Sequence, residues 1–300
     1  MFMNQELMLT EEELRKYKIK KTLANVGIYA FLVIFALFII IPFYWMFATS
    51  LRSIKELQST KISFFPEEWL FENYIGAFKK AADYGIPFLK IYMNTILVGI
   101  LSTIGTLVTT VLAAFAFARL NFKGKEAIFS VMLATMMIPG EIFVITNYTT
   151  VTALGWKNSY VALVVPFMVS VFYTYFLRQT FRQIPNELYL AAKVDGTGDF
   201  KYLWKVMIPM AKSTITSITI LSMMGSWNAY VWPKLVAPKP EYQLVSNALI
   251  QIYSSADSST APETAYQMAA AVMITVPLLI VFLALRKQIM NGVSRSGIKG

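Results

Sequence analysis

With 56% hydrophobic and only 15% charged residues among 300, this chain is far poorer in charge than a soluble domain, which carries about 25%, and it belongs in lipid. It has no cysteine and no histidine, which excludes thiol catalysis, Cys/His zinc sites and a histidine proton relay within the chain. The net charge of +10 would suit nucleic acid, but its distribution along the chain points elsewhere.

A helix needs roughly 20 apolar residues to cross the hydrocarbon core, and six segments are predicted to do so. The first lies between Lys21 and Arg52, a stretch without charge. Its apolar run starts near residue 25, is too long for a signal peptide, and ends in aromatics without a small-residue cleavage site. The second lies between Lys90 and Arg119. The third runs from about Ala127 to Tyr148 and is interrupted by Pro139, Gly140 and Glu141. The fourth fills the gap from Lys157 to Arg178, the fifth that from Lys212 to Lys234, and the sixth that from Glu263 to Arg286. The predicted organisation is an N-terminal tail over 1–24 and a first span with a long outer loop over 25–89. A core of five spans follows over 90–290, with a polar loop at 185–212, and a C-terminal tail closes the chain at 291–300.

Six spans put both termini on one side, and the basic residues say which. The two tails, the loop between spans two and three, and the loop between spans four and five hold eighteen of the 27 basic residues. They hold eight of the 17 acids, so eighteen minus eight accounts for the whole net charge of +10. The short loop after span three carries only Lys157. The loop after span one has six basic residues, but it is long and has five acids. Short-loop Lys/Arg excess marks the cytoplasmic side, so both termini and the 185–212 loop are predicted to face the cytoplasm of a bacterial or archaeal plasma membrane. A basic inner face suits anionic membrane lipid and makes nucleic acid unnecessary.

The loop Ile184–Ser213 reads as a pair of short helices broken at Asp195-Gly196 and stopped near Pro209. Pro185 suits a first helical turn, and Asn186 and Glu187 put polar and negative groups near that N-terminus. Leu188, Ala191 and Ala192 recur at i, i+3 and i+4, a small apolar face that lets another surface approach closely. Gly196 can take a positive φ and end the helix. From the residues alone, a projecting knob and an amphipathic helix lying on the inner leaflet are both open.

This loop, A-A-x-x-D-G followed by I-P, resembles the EAA loop of ABC-importer permeases, in the version of the maltose-type carbohydrate uptake subfamily. MMIPGEIF at 136–143, LGW with VVPF and FLRQTF ahead of the loop, and GSWNAYVWP at 225–233 are similar to family segments. So is the ending from Met268 through Gly292 to Gly300, and the likeness covers roughly residues 90–300. The first position of the E-A-A triplet is Leu190 here. The departure puts a polar contact of that glutamate in doubt, and Glu187, about one turn earlier, can substitute.

The resemblance implies an all-α, six-span permease of the type I ABC importer fold that forms half of a translocation path for a carbohydrate, an oligosaccharide above all. It implies a homologous second permease subunit, two ABC ATPase subunits and an extracytoplasmic solute-binding protein as partners. Glu187, Leu188, Ala191, Ala192, Asp195 and Gly196 would couple to the ATPase, and Gly297, Lys299 and Gly300 of the tail would touch it. No cofactor is expected on this chain, since ATP and Mg belong to the partner ATPase and the sequence has no G-x-x-x-x-G-K-[S/T] phosphate loop.

Four residues are candidates for the solute path. Glu141 falls near mid-span, where a carboxylate is a functional candidate or marks a kink. Trp227 and Tyr230 offer rings for sugar faces and Asn228 an amide for hydroxyls, while an interfacial aromatic belt is the plainer reading, above all for Trp232. A stand-alone secondary sugar transporter is the alternative. It would show internal repeats and intramembrane ion ligands, and only Glu141 stands inside a span.

Overall fold

A backbone in hydrocarbon must satisfy its own N–H and C=O groups, so long apolar runs dictate helix. The computed structural model describes residues 11–59, 61, 63–254 and 261–294, and among these it holds helices and turns but no strand. α1 (Glu11–Ser50) leads into a loop with α2 (Ile54–Gln58) and α3 (Glu72–Asp83). Then come α4 (Phe88–Arg119), α5 (Lys125–Thr135), α6 (Gly140–Ala153), α7 (Tyr160–Phe167) and α8 (Val171–Gln183). The polar loop folds as α9 (Asn186–Val194) and α10 (Asp199–Met210). α11 (Lys212–Trp227), α12 (Val231–Val236), α13 (Val245–Ser254) and α14 (Ala261–Ser294) complete the order.

Three stretches are long and apolar enough to cross a membrane unaided: Arg15–Ser50 in α1, α4, and Thr264–Arg286 in α14. Three bent pairs match the remaining apolar segments, α5 with α6 at 79°, α7 with α8 at 43°, and α10 with α11 at 81°. The expected interruption at Pro139–Glu141 is therefore a sharp corner. The central window of α1 buries nothing against the rest of the chain. A helix apolar on all sides and unburied by protein is one surrounded by lipid or by another membrane subunit.

α4 is the centre of the bundle, packed between α8 and α11, while α14 packs on α1, α3 and α11. Its buried side is small and polar, with Asn94, Thr95, Gly99, Ser102, Thr103, Thr106, Thr110 and Ala114 recurring about every fourth residue. Small residues let helix backbones approach in a membrane, where lipid competes with side-chain burial. A Cβ at Gly99 would stand 2.7 Å from Met223 Sδ of α11, so a larger residue there would displace the end of that side chain.

The two ends are built differently. At one end Arg119 donates to the carbonyls of Phe181 (2.9 Å) and Ile184, while Arg178 Nε donates to Phe117 O (3.0 Å) and its Nη2 meets Glu126 Oε1 at 2.8 Å. At the other, Asn94 donates to Glu241 O (2.8 Å) and Gln243 O (3.0 Å), and the Tyr160 hydroxyl donates to Asn94 Oδ1 (2.8 Å). The loops after spans two and four thus share one end and those after spans three and five the other, as six crossings require.

One expectation changes. The fifth apolar segment is not one helix: α11 stops at Trp227 after 16 residues, about 24 Å at 1.5 Å per residue, and the chain turns before α12. The loop helix does end near Pro209, as expected. A π-helical turn at Leu203–Met207 just ahead of it widens the helix, and α10 runs on to Met210.

The Arg178 side chain is 3% exposed and its guanidinium lies 3.9 Å from the Phe129 ring centroid. Arg178→Ala would strand Phe117 O and open a void, at a cost of about 1–3 kcal/mol. Glu126→Gln should cost little because that carboxylate is 69% exposed. Thermal unfolding of the purified protein in detergent checks the contrast, and equal midpoints for the two variants would contradict it.

Candidate functional site

The loop between α8 and α11 is a shaped element. Pro185, at the cap and not in the first turn, starts α9 with φ −54°, and Glu187 lies in the first turn where its charge suits the helix dipole. The helix ends as Gly196 N–H donates to Lys193 O (3.0 Å) and Thr197 N–H to Ala192 O (2.8 Å). This paired closure needs a left-handed residue between, and Gly196 has φ +70° with nothing within 4 Å of where a Cβ would sit. Glycine is required there by backbone conformation and not by crowding.

A side-chain clamp holds α9 to α10. The Tyr189 hydroxyl donates to Asp199 Oδ1 at 2.6 Å, Lys193 Nζ meets the same oxygen at 2.7 Å, and the Tyr189 and Tyr202 rings lie 5.1 Å apart. The two donors, Lys193 first, hold the Asp199 carboxyl below its ordinary range, and Asp199 in turn raises Lys193. Burial and then the bond to Asp199 raise Tyr189. Beneath the clamp, Tyr202, Leu203 and Met207 of α10 are buried with Ala114, Phe115, Leu177, Phe181 and Ile218 of three spans.

The face of α9 differs in part from the one expected. Ala192 and Tyr189 turn inward onto that core. Glu187, Leu188, Ala191, Asp195 and Gly196 are exposed, joined by Leu190 and by Val194, which is 88% exposed. The presented surface is therefore Leu188, Leu190, Ala191 and Val194 beside Glu187. Leu190, which stands in place of the triplet glutamate, makes that surface more apolar. Val194 was legible as the residue one turn beyond Leu190 and Ala191. Gly297, Lys299 and Gly300 lie outside the described residues.

The candidate path residues do not converge. Glu141 is exposed at the corner between α5 and α6 and is not buried by this chain. Trp227 packs into the core formed by α3, α4, α13 and α14, its ring 5.9 Å from that of Tyr92. Asn228 is exposed and its amide donates to Met224 O at 3.0 Å, while Lys234 Nζ donates to the half-buried Tyr230 hydroxyl at 3.1 Å. Trp232 is not in an interfacial belt: it is 7% exposed, and its indole donates to Ala162 O at 2.9 Å.

Trp232 instead lines a cavity of about 350 Å³ between α4, the α7–α8 break and the end of α11. Ser102, Thr106, Ser170, Tyr173, Ser222 and Ser226 line it too, among mostly apolar residues. Sequence reading missed this set because its members are scattered over four segments. The period-four polar stripe of α4 was the available signal.

Residues 105–295 match the family described as binding-protein-dependent transport system inner membrane component. The chain is similar to the inner membrane ABC transporter permease protein YcjP of Escherichia coli, 26% identical over 283 residues that cover 94% of this chain and 99% of that one. It is 27% identical to the sn-glycerol-3-phosphate transport system permease protein UgpE of Rhizobium meliloti, over 91% of this chain and 97% of that one. Identity is also 27% to the lactose transport system permease protein LacG of Rhizobium radiobacter, over 91% and 96%. A crystal structure of a bacterial ABC transporter involved in the import of the acidic polysaccharide alginate shares the fold, with a TM-score of 0.76 at 23% identity over 89% of this chain and 97% of that one.

Two predictions follow from the loop's geometry. Gly196→Val places a Cβ and a branched side chain at φ +70° and should cost about 1–2 kcal/mol, while Gly196→Asn should be milder. Thermal unfolding and binding-protein-stimulated ATP hydrolysis in reconstituted vesicles report both, and equal behaviour of the two variants would remove the capping argument. Because Asp199 is depressed, its contribution is complete above the ordinary carboxylate value and is lost as pH falls through its folded value. Limited tryptic cleavage at Lys193 should therefore be faster in Asp199→Asn than in wild type and, in wild type, should not change across the neutral range.

Proposed function

Because the chain belongs to the family of binding-protein-dependent transport system inner membrane components, we propose that it is the half of a carbohydrate importer that receives the ATPase on α9. It is a multi-pass membrane permease component. The proposal concerns its cargo, its orientation and its docking surface.

The observation that carries the docking is the exposed face of α9, set on a capped and clamped helix over a core shared with three spans. An exposed apolar face of Leu188, Leu190, Ala191 and Val194 beside Glu187 suits a protein cleft. A rigid seat lets force at the cleft reach α4, α8 and α11 without being absorbed by loop bending. Two ATPase subunits holding ATP and Mg, a second permease and an extracytoplasmic binding protein complete the assembly, and the tail residues Gly297, Lys299 and Gly300 add an ATPase contact. For cargo, two relatives are named for sn-glycerol-3-phosphate and lactose, both rich in oxygen. The mostly apolar cavity, with Trp232 and several serines on its wall, offers a ring and a few polar groups to a sugar.

Ala191→Arg puts a long charged side chain at the centre of the α9 face without touching the core beneath. ATPase copurifying with the permease should fall about tenfold, a loss of about 1.4 kcal/mol, while the permease pair stays assembled. Wild-type copurification and uptake would place docking elsewhere. Ala192→Arg acts differently, because Ala192 faces inward, and should lower thermal stability as well. Orientation is checked by single cysteines, since the chain has none. In intact cells an impermeant thiol reagent should label Glu241→Cys and spare Asn186→Cys, and the reverse would invert the topology.

A further inference from the structure

α10 is a different surface from α9. It meets α11 at 81°, so it lies nearly in the membrane plane if α11 crosses the bilayer. Tyr202, Leu203 and Met207 turn one side into the core, and the other side carries Phe200, Lys201, Trp204 and Lys205, all exposed. An in-plane helix with aromatics and lysines on its outer side is the pattern of an interfacial helix.

Behind the Phe200 and Trp204 rings, which meet edge to face at 6.1 Å, runs a groove of about 280 Å³. Its walls are wholly apolar: Leu107, Val108, Val111 and Leu112 of α4, with Leu203 and Ile208 of α10 and Ile215 of α11. The α4 wall lies 7 to 12 residues before Arg119 at the helix end, about 10–18 Å along the axis at 1.5 Å per residue. That is acyl-chain depth in the leaflet on the α9 side. Val108 and Leu112 are 53% and 47% exposed, so the chain itself leaves the groove uncovered. Lys201 and Lys205 are exposed and follow directly on Phe200 and Trp204 of the groove's lining, Lys212 comes just past the corner, and no acid pairs with any of the three among the described residues.

We propose that the groove between α4, α10 and α11 is a binding site for one anionic phospholipid, its acyl chain along Val108 and Leu112 and its headgroup on Lys201, Lys205 and Lys212. Apolar walls at acyl depth select a hydrocarbon chain over a soluble ligand. Three unpaired cations above them select a negative headgroup over a zwitterionic one, each lysine near the surface adding to the attraction. The lipid would wedge α10 against α4 and so brace the arm that carries α9. The site depends on the membrane placement of α4 and α11 and not on what docks on α9, so failure of the Ala191→Arg test leaves the lipid measurement standing.

The test uses the intact transporter extracted in mild detergent and incubated with equal amounts of phosphatidylglycerol and phosphatidylcholine, with retained lipid quantified by mass spectrometry. Wild type should retain phosphatidylglycerol in excess. The double variant Lys201→Gln, Lys205→Gln should lower that preference about tenfold, while the loop control Lys123→Gln leaves it unchanged. Val108→Trp fills the groove and should lose the retained lipid, and if it does not assemble, Ile208→Phe narrows the groove from the α10 side with the same expected loss. Unchanged preference in the double lysine variant would overturn the proposal. So would wild-type lipid retention in the groove-filling variant, or loss of a protein partner from these variants with lipid unaffected, which would show that protein covers the groove.

Discussion

Hydrocarbon leaves no water to pair a stray carbonyl, and three apolar helix pairs of this chain are bent at a break. At the break between α7 and α8 the partners come from α4. Thr106 of α4 donates its hydroxyl to Phe167 O at 2.9 Å, and Thr109 donates to Met168 O at 2.5 Å, which serves the gap between α7 and α8. Asn94 serves the irregular chain before α13, and Thr95 accepts the Val245 N–H at 2.9 Å. Arg119, at the other end of α4, takes up the last carbonyls of α8. The small polar stripe of α4 is thus the partner set for backbone that other helices release. It sits where α8 and α11 pack, so the bundle's core and its hydrogen-bond supply coincide.

The same stripe explains where sequence reading succeeded. The apolar runs gave the number of crossings, and Pro139-Gly140 gave the corner between α5 and α6, because both depend on local composition. Gly196 was legible for the same reason: a helix that ends on Asp-Gly has few ways to close, and φ +70° is the usual one. The fifth segment was misread because an uncharged run does not reveal that α11 ends at Trp227. Nothing in GSWNAYVWP tells which tryptophan faces a cavity. That depends on Trp232 reaching Ala162 O across 70 positions and on Trp227 meeting Tyr92.

The α9 face shows the same limit on a smaller scale. Helical spacing groups Leu188, Ala191 and Ala192, yet Ala192 is drawn inward because Tyr189 and Tyr202 pack at a tilt over the same buried core. The direction of a short helix's inner side is set by its strongest anchor, here Tyr189 with its bond to Asp199. Leu190 and Val194 are left outside by that choice.

The two halves of the loop present different surfaces. α9 stands out on its clamp with an apolar and acidic face, while α10 lies across the end of α11 with aromatics and lysines outward. A π-helical turn at Leu203–Met207 lies just ahead of Pro209. An ordinary α-helical turn there would bring the Pro209 ring against the Lys205 carbonyl. The irregular turn therefore keeps the arm continuous through a proline. A continuous arm, buried along one side, packs without a gap on α4, α8 and α11.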